Sequence, residues 1–159
     1  RNDIIESATL NYNVDIILKI YKKTLIFNKL ILKESGKDLM FSYKRASNII
    51  YNELKDNKIE LSGSADPGLF KNEFEKVLYK KIHEIRKDFT NIGKDEDYEG
   101  ILKTLSLAKK EVNDFFDNVI VNDQDELIKK NRLELLQMLC KTFDNYLNFS
   151  KVESIQWKN

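Results

Sequence analysis

An all-α fold, a single bundle of about five to six helices, is predicted by three observations. Five glycines and one proline in 159 residues leave too few turns for a many-stranded sheet. Large apolar residues recur at three- and four-residue spacing along most of the chain. Short polar or glycine-bearing stretches separate these periodic runs at intervals that suit helices rather than strands. A chain of this length fits one domain, spanning residues 1–159, and buries roughly 70% of the surface its unfolded form exposes.

A short helix near Asp3 to Leu10 opens the series. From Asp15 to Glu34, Ile16, Ile20, Phe27 and Ile31 form one stripe and Leu18, Leu25 and Leu32 a second, which predicts a helix buried on much of its surface. Gly36 is its expected stop. Between Asp38 and Asn57, Leu39, Tyr43, Ala46, Ile50 and Leu54 share a face. Ser62-Gly63-Ser64 is a loop by composition. Asp66-Pro67 is a helix start signal, because aspartate accepts a free backbone N–H and proline at the first position forfeits no hydrogen bond. The helix expected there carries Phe70, Phe74, Val77, Leu78, Ile82, Ile85 and Phe89, and ends at Asn91-Ile92-Gly93. Asp95-Glu96-Asp97 suits the next N-terminus through the helix dipole. Tyr98, Leu102, Leu105, Ala108, Val112, Phe115 and Val119 then predict one helix of about six turns, closed by Val119-Ile120-Val121. Asp123 with Glu126 resembles a capping box ahead of the last helix. That helix carries Leu133, Leu136, Cys140, Phe143 and Leu147 on one stripe, and Ile128, Leu135, Leu139 and Tyr146 beside it.

The composition, 42% apolar and 33% charged, is globular. No apolar run approaches the roughly 20 residues of a membrane span, and no signal-peptide pattern is present. The single Cys140 excludes an internal disulfide and fits a reducing compartment, hence a cytoplasmic location. Beginning at Arg1 rather than Met, the chain reads as an excised fragment or a processed product. The net charge of +1 excludes a strongly basic nucleic-acid footprint. Residues 1–58 nevertheless carry 11 Lys/Arg against 7 Asp/Glu, and the remainder 16 against 19, a balance that suits a modestly positive face in the first third and equally solvated lysines on ordinary helices.

Catalytic chemistry finds little support. The one histidine, His83, reads as an exposed helical residue, and with one distant cysteine it makes a poor zinc site. Cys140 lies on an apolar stripe and reads as a buried structural thiol. No glycine-rich phosphate loop is present. The pairs Asp114/Asp117 and Asp123/Asp125 serve capping and ion pairing more often than metal or acid–base work. Arg132 borders the apolar face of the last helix, where a guanidinium needs a partner. Asp114 or Asp117 on the preceding helix are the candidates, so that Arg132 either pins a helical hairpin or reaches a nucleotide. Lys44, Arg45 and Asn48, with Tyr51 a turn further on, form a polar cluster. Arginine and asparagine bond base edges and tyrosine stacks on an unstacked base, though an ordinary solvated face has the same composition.

Several of these segments carry a family pattern. Arg1-Asn2-Asp3-Ile4-Ile5, Lys44-Arg45-Ala46-Ser47-Asn48-Ile49, Asp66-Pro67-Gly68-Leu69-Phe70 and the stretch Asp114 to Leu133 occur in order. Together they resemble the C-terminal anticodon-binding region of bacterial glycyl-tRNA synthetase beta subunits, a DALR-type domain. Leu127-Ile128-Lys129 occupies the place of the alanine-leucine-arginine signature, and Lys129 keeps the charge without the bidentate fork. The resemblance implies a non-catalytic helical domain that binds the anticodon loop of tRNA-Gly, alongside the rest of the beta subunit and the alpha subunit. It implies no cofactor in this chain, the ATP and magnesium of glycine attachment belonging to the catalytic alpha subunit. Lys44, Arg45 and Asn48, then Lys129, are the tRNA-contact candidates it points to, with Asp114, Asp117, Asn131 and Arg132 as structural supports. Two other readings stay open. One is a helical protein-interaction module docking onto the rest of the synthetase, favoured by the near-neutral charge and apolar Val119-Ile120-Val121. The other is the anticodon domain of arginyl-tRNA synthetase.

Overall fold

Six α-helices and one 3-10 turn make up the secondary structure of the described residues, and no strand occurs among them. The structure, a computed structural model, describes residues 14–57, 59–92 and 97–145. The expected helix near Asp3 to Leu10, the Arg1–Ile5 segment, and Tyr146 and Leu147 lie outside them.

Helix α1 (Val14–Ile31) departs most from expectation. Ile16, Ile17, Leu18, Ile20, Tyr21 and Leu25 are exposed, whereas Phe27 is buried. The helix packs on its neighbours α2 and α4 through its C-terminal part, so periodicity reported its amphipathic potential but not its partner. The chain breaks at Leu32-Lys33, and Gly36 sits instead in the first turn of α2 (Glu34–Asn57), its N–H bonded to the Lys33 carbonyl. Leu39, Tyr43, Ala46 and Ile50 of α2 face the core as the spacing requires, while Leu54 lies at the exposed edge.

Asp66 does cap a turn, accepting from the Gly68 N–H at 2.8 Å, but the turn is a 3-10 helix of three residues, Pro67–Leu69. Helix α3 (Glu73–Ile92) begins later, at a reciprocal box. The Asn72 side chain accepts from the Glu75 N–H, and Glu75 Oε2 accepts from the Asn72 and Lys71 N–H groups at 2.9 and 2.6 Å. Leu78, Ile82, Ile85 and Phe89 of α3 are buried.

The single six-turn helix expected next is two: α4 (Tyr98–Ser106), capped by Asp97, and α5 (Lys109–Asn118). The Ser106 hydroxyl bonds the Leu102 carbonyl at 2.8 Å, a back-bond that bends helices, and Leu107 and Ala108 complete a tight turn. Val119 then leaves the helix in extended geometry (φ −119°, ψ 119°), consistent with the stiffness of three successive β-branched residues. The cap of α6 (Glu126–Asp144) is Asp125, which accepts from Leu127 and Ile128, because Asp123 is engaged elsewhere.

Helix α6 is the axis of the bundle. Thirteen of its 19 residues are buried, and α2 and α3 pack along it. Leu135, Leu136, Leu139 and Phe143 meet Tyr43, Ile82 and Phe115 in one core. Helix α5 packs on α3 and α2 rather than lying along α6 as an antiparallel hairpin.

Candidate nucleic-acid interface

Polar residues buried on α6 determine which surfaces remain available. Arg132 is 5% exposed. Its Nε donates to Glu75 Oε1 at 2.7 Å, and one terminal nitrogen donates to Asp123 Oδ2 at 2.6 Å and to the Ile120 carbonyl at 2.8 Å. Burial works against the charge, but the hydrogen bonds from Arg132 to Glu75 and Asp123 outweigh it and hold the pKa above its ordinary value. The partners expected from sequence, Asp114 and Asp117, are not the ones used. They lie on α5, which packs against other helices, and Asp117 is exposed. Asn131 makes a two-point contact with the backbone of Asp66, accepting from its N–H at 2.7 Å and donating to its carbonyl at 2.9 Å. Glu134 accepts from the N–H groups of Ser62, Gly63 and Ser64, holding the loop whose Gly63 adopts a φ of 81°.

Lys129 requires a correction. Named above as a tRNA contact, it is 6% exposed and its Nζ lies 2.7 Å from Glu53 Oε2 on α2. The hydrogen bond to Glu53 raises its pKa. The charge at the signature position therefore faces inward and is neutralised, leaving none for a phosphate.

Lys44, Arg45 and Asn48 lie together on the outer side of α2, Lys44 half-buried and the other two exposed. The same side carries two aromatics at the surface, Phe41 (69% exposed) and Tyr51 (64%), and ends at exposed Lys55. Phe41, Lys44, Asn48, Tyr51 and Lys55 follow one another at three- and four-residue steps, a stripe roughly 21 Å long at 1.5 Å per residue. Phe41 was missed because it adjoins a core position, although its spacing to Lys44 and Asn48 was readable.

Arg45 turns from this stripe toward α5. Its guanidinium carbon lies 4.3 Å from the Phe116 ring centroid, and its Nη2 donates to the Phe116 carbonyl at 3.5 Å. The adjacent phenylalanines thus divide their work, Phe115 filling the core and Phe116 supporting Arg45. Beyond this pair a recess of about 340 Å³ opens between α2 and residues 119–122.

Among the described residues, no group of three or more His, Cys, Asp and Glu side chains could hold a metal ion. His83 is exposed and its ring lies against Tyr79, with centroids 4.4 Å apart. The Cys140 thiol is pushed up to about 12 by burial and by the nearby Asp144 charge. No described helix is long and apolar enough to cross a membrane.

The family model of the DALR anticodon binding domain matches residues 39–156. The chain belongs to this family. The DALR match takes in the α2 face, the α5–α6 connection and α6, and begins after α1. Among curated proteins the chain is similar to the glycine–tRNA ligase beta subunit of Rickettsia prowazekii (strain Madrid E), with 33% identity over 150 residues, 89% of this chain and 22% of that protein. The beta subunit of Rickettsia typhi (strain ATCC VR-144 / Wilmington) is 35% identical over 153 residues, 96% and 22% of the respective chains. That of Rickettsia africae (strain ESF-5) is 40% identical over 122 residues, 77% and 18%. This DALR chain spans about a fifth of the length of these relatives.

Proposed function

We propose that this DALR domain binds the anticodon loop of tRNA-Gly as part of a glycine–tRNA ligase beta subunit. The observation that carries the reading is the exposed α2 stripe, where aromatic and cationic side chains alternate within the residues matched by the family. Single-stranded RNA loops are held by this combination, bases stacking on aromatic rings while cations meet phosphates. Lys44, Arg45 and Asn48 are the contacts, joined by Phe41 and Tyr51, whereas Asn131 and Arg132 act from within the bundle. In this reading the domain works in the cytoplasm and holds no reacting group. Glycine activation, with its ATP and magnesium, belongs to the alpha subunit.

A titration of a fluorescent glycine anticodon stem-loop at two salt concentrations tests the proposal. Salt-sensitive binding, weakened when the two anticodon cytosines are replaced or when an arginine anticodon is used, is the expected result. Equal affinity for all three loops overturns the glycine specificity. Arg45→Ala should lower affinity with little effect on folding, and unchanged binding removes it from the contact set.

A second reading rests on α1. Its exposed Ile16, Ile17, Leu18, Ile20, Tyr21 and Leu25 lie before the family match, and such a face suits docking onto the rest of the beta subunit. Absence of RNA binding at low salt, together with association with the remaining beta subunit, would favour docking as the main role.

A further inference from the structure

We propose that the recess between α2 and residues 119–122 receives one unpaired base of the bound RNA loop. The inference rests on the anticodon-loop reading and adds to it a place for a single base. A flipped base needs an apolar surface against its ring and groups of both hydrogen-bonding senses at its edge. Ile120, 77% exposed at the rim, offers the first. Asn52 from α2 and Asn122 from the connection offer the second. Both are exposed, and neither amide makes a hydrogen bond among the described residues. An asparagine amide donates through its nitrogen and accepts through its oxygen, so two of them can meet a mixed base edge.

The walls are held from behind. Phe116 supports the Arg45 guanidinium, Lys129 fixes Glu53 at 2.7 Å, and Arg132 holds the Ile120 carbonyl at 2.8 Å. The buried charges of α6 therefore shape the recess without entering it, and pre-organisation of this kind lowers the cost of binding. Asn52 follows Asn48 by one helical turn, so a strand tracking the α2 stripe brings a neighbouring nucleotide to the opening. A larger recess of about 810 Å³ between α1 and α4 has no aromatic lining, and its Lys29, Lys33 and Lys103 are accompanied by Asp97 and Glu99. Four of its lining residues, Ile26, Lys29, Leu32 and Lys33, precede the residues matched by the family.

The test uses the full chain and glycine anticodon stem-loops with an abasic sugar at each loop position in turn. Affinities are measured by fluorescence anisotropy for the unaltered protein, Ile120→Ala and Asn122→Ala. Both substitutions are at exposed positions, and thermal melting checks that the fold is kept, with Asn52→Ala as a further variant. One abasic position should cost the unaltered protein about tenfold in affinity and cost the variants little. Affinities for the intact loop that are the same in all proteins, with every abasic penalty unchanged, overturn the recess as a base site while leaving the anticodon-loop reading in place. Failure of the unaltered protein to bind the intact loop at low salt overturns both.

Discussion

Replacing Arg132 with alanine should be among the most damaging single changes to this domain, for a reason set by its partners. The substitution deletes three hydrogen bonds, two of them to carboxylates, and leaves Glu75 wholly buried without its counter-charge. Removing one member of a buried ion pair costs about 3–5 kcal/mol. Here Glu75 Oε2 keeps two backbone N–H donors, which places the expected loss toward the lower end, about 3 kcal/mol. For a domain of this size that lowers the melting temperature by roughly 10 °C. Urea titration and thermal melting followed by circular dichroism measure it directly. A double-mutant cycle with Glu75→Gln sharpens the test, because the glutamine carbonyl can still accept from the α3 N-terminus but carries no orphaned charge. The double variant should be less damaged than the sum of the singles, by about 1–2 kcal/mol. A melting temperature for Arg132→Ala within about 2 °C of the parent, or a strictly additive cycle, refutes the buried-pair reasoning.

Further outcomes follow from other sites. The pKa of Asp123 is held below its ordinary 3.8 by the Asp125 N–H and then by Arg132, so its contribution to stability is present above about pH 3.8 and lost as pH falls through its lower folded value. Melting curves from pH 5 to pH 2 should show a shallower acid loss in Asp123→Asn than in the parent, and parallel curves would contradict this. Gly63→Ala meets a φ of 81° and would push a methyl group into Gln137 and Lys141, so a loss of about 1–2 kcal/mol in urea unfolding is expected, and an unchanged midpoint would count against it. Cys140, buried and with its thiol raised to about 12, should resist an aromatic disulfide reagent at pH 8 until urea unfolds the domain; fast stoichiometric labelling of the folded protein would show otherwise. With Lys129 neutralised, the cations of the α2 face are Lys44, Arg45 and Lys55, so the slope of log affinity against log salt should be about −2, and a slope steeper than about −4 would place phosphate contacts elsewhere.

The helical class and the buried stripes of α2, α3 and α6 were legible because a 3.6-residue period is a local property of sequence. The α2 cluster at Lys44, Arg45 and Asn48 was legible for the same reason. What periodicity could not supply was the partner. Arg132 finds Glu75 across 57 positions, and Glu134 finds the Ser62–Ser64 loop across about 70. No spacing rule reaches that far, and the nearer Asp114 and Asp117 were chosen instead. Lys129 failed differently: the resemblance pointed to it through its place in the signature, yet Glu53 from another helix lets it stay inside. Two local signals were present but outranked. Asn72 with Glu75 is a box of the usual spacing, hidden behind the more conspicuous Asp66-Pro67, and Ser106 marked the break between α4 and α5.

The carboxylates and amides on α6 and at the start of α3 have a consequence for motion. They reach out to the backbone N–H groups of Ser62, Gly63, Ser64, Asp66, Lys71 and Asn72, all outside regular helix or at its edge. Those amides exchange with solvent only when α6 or α3 lets go, so an irregular segment of chain belongs to the last unit to open. The first half of α1 is helical but exposed from Ile16 to Lys22, so little burial holds it and it opens early. Hydrogen–deuterium exchange should therefore rank a loop above a helix, reversing the order that secondary structure alone would give.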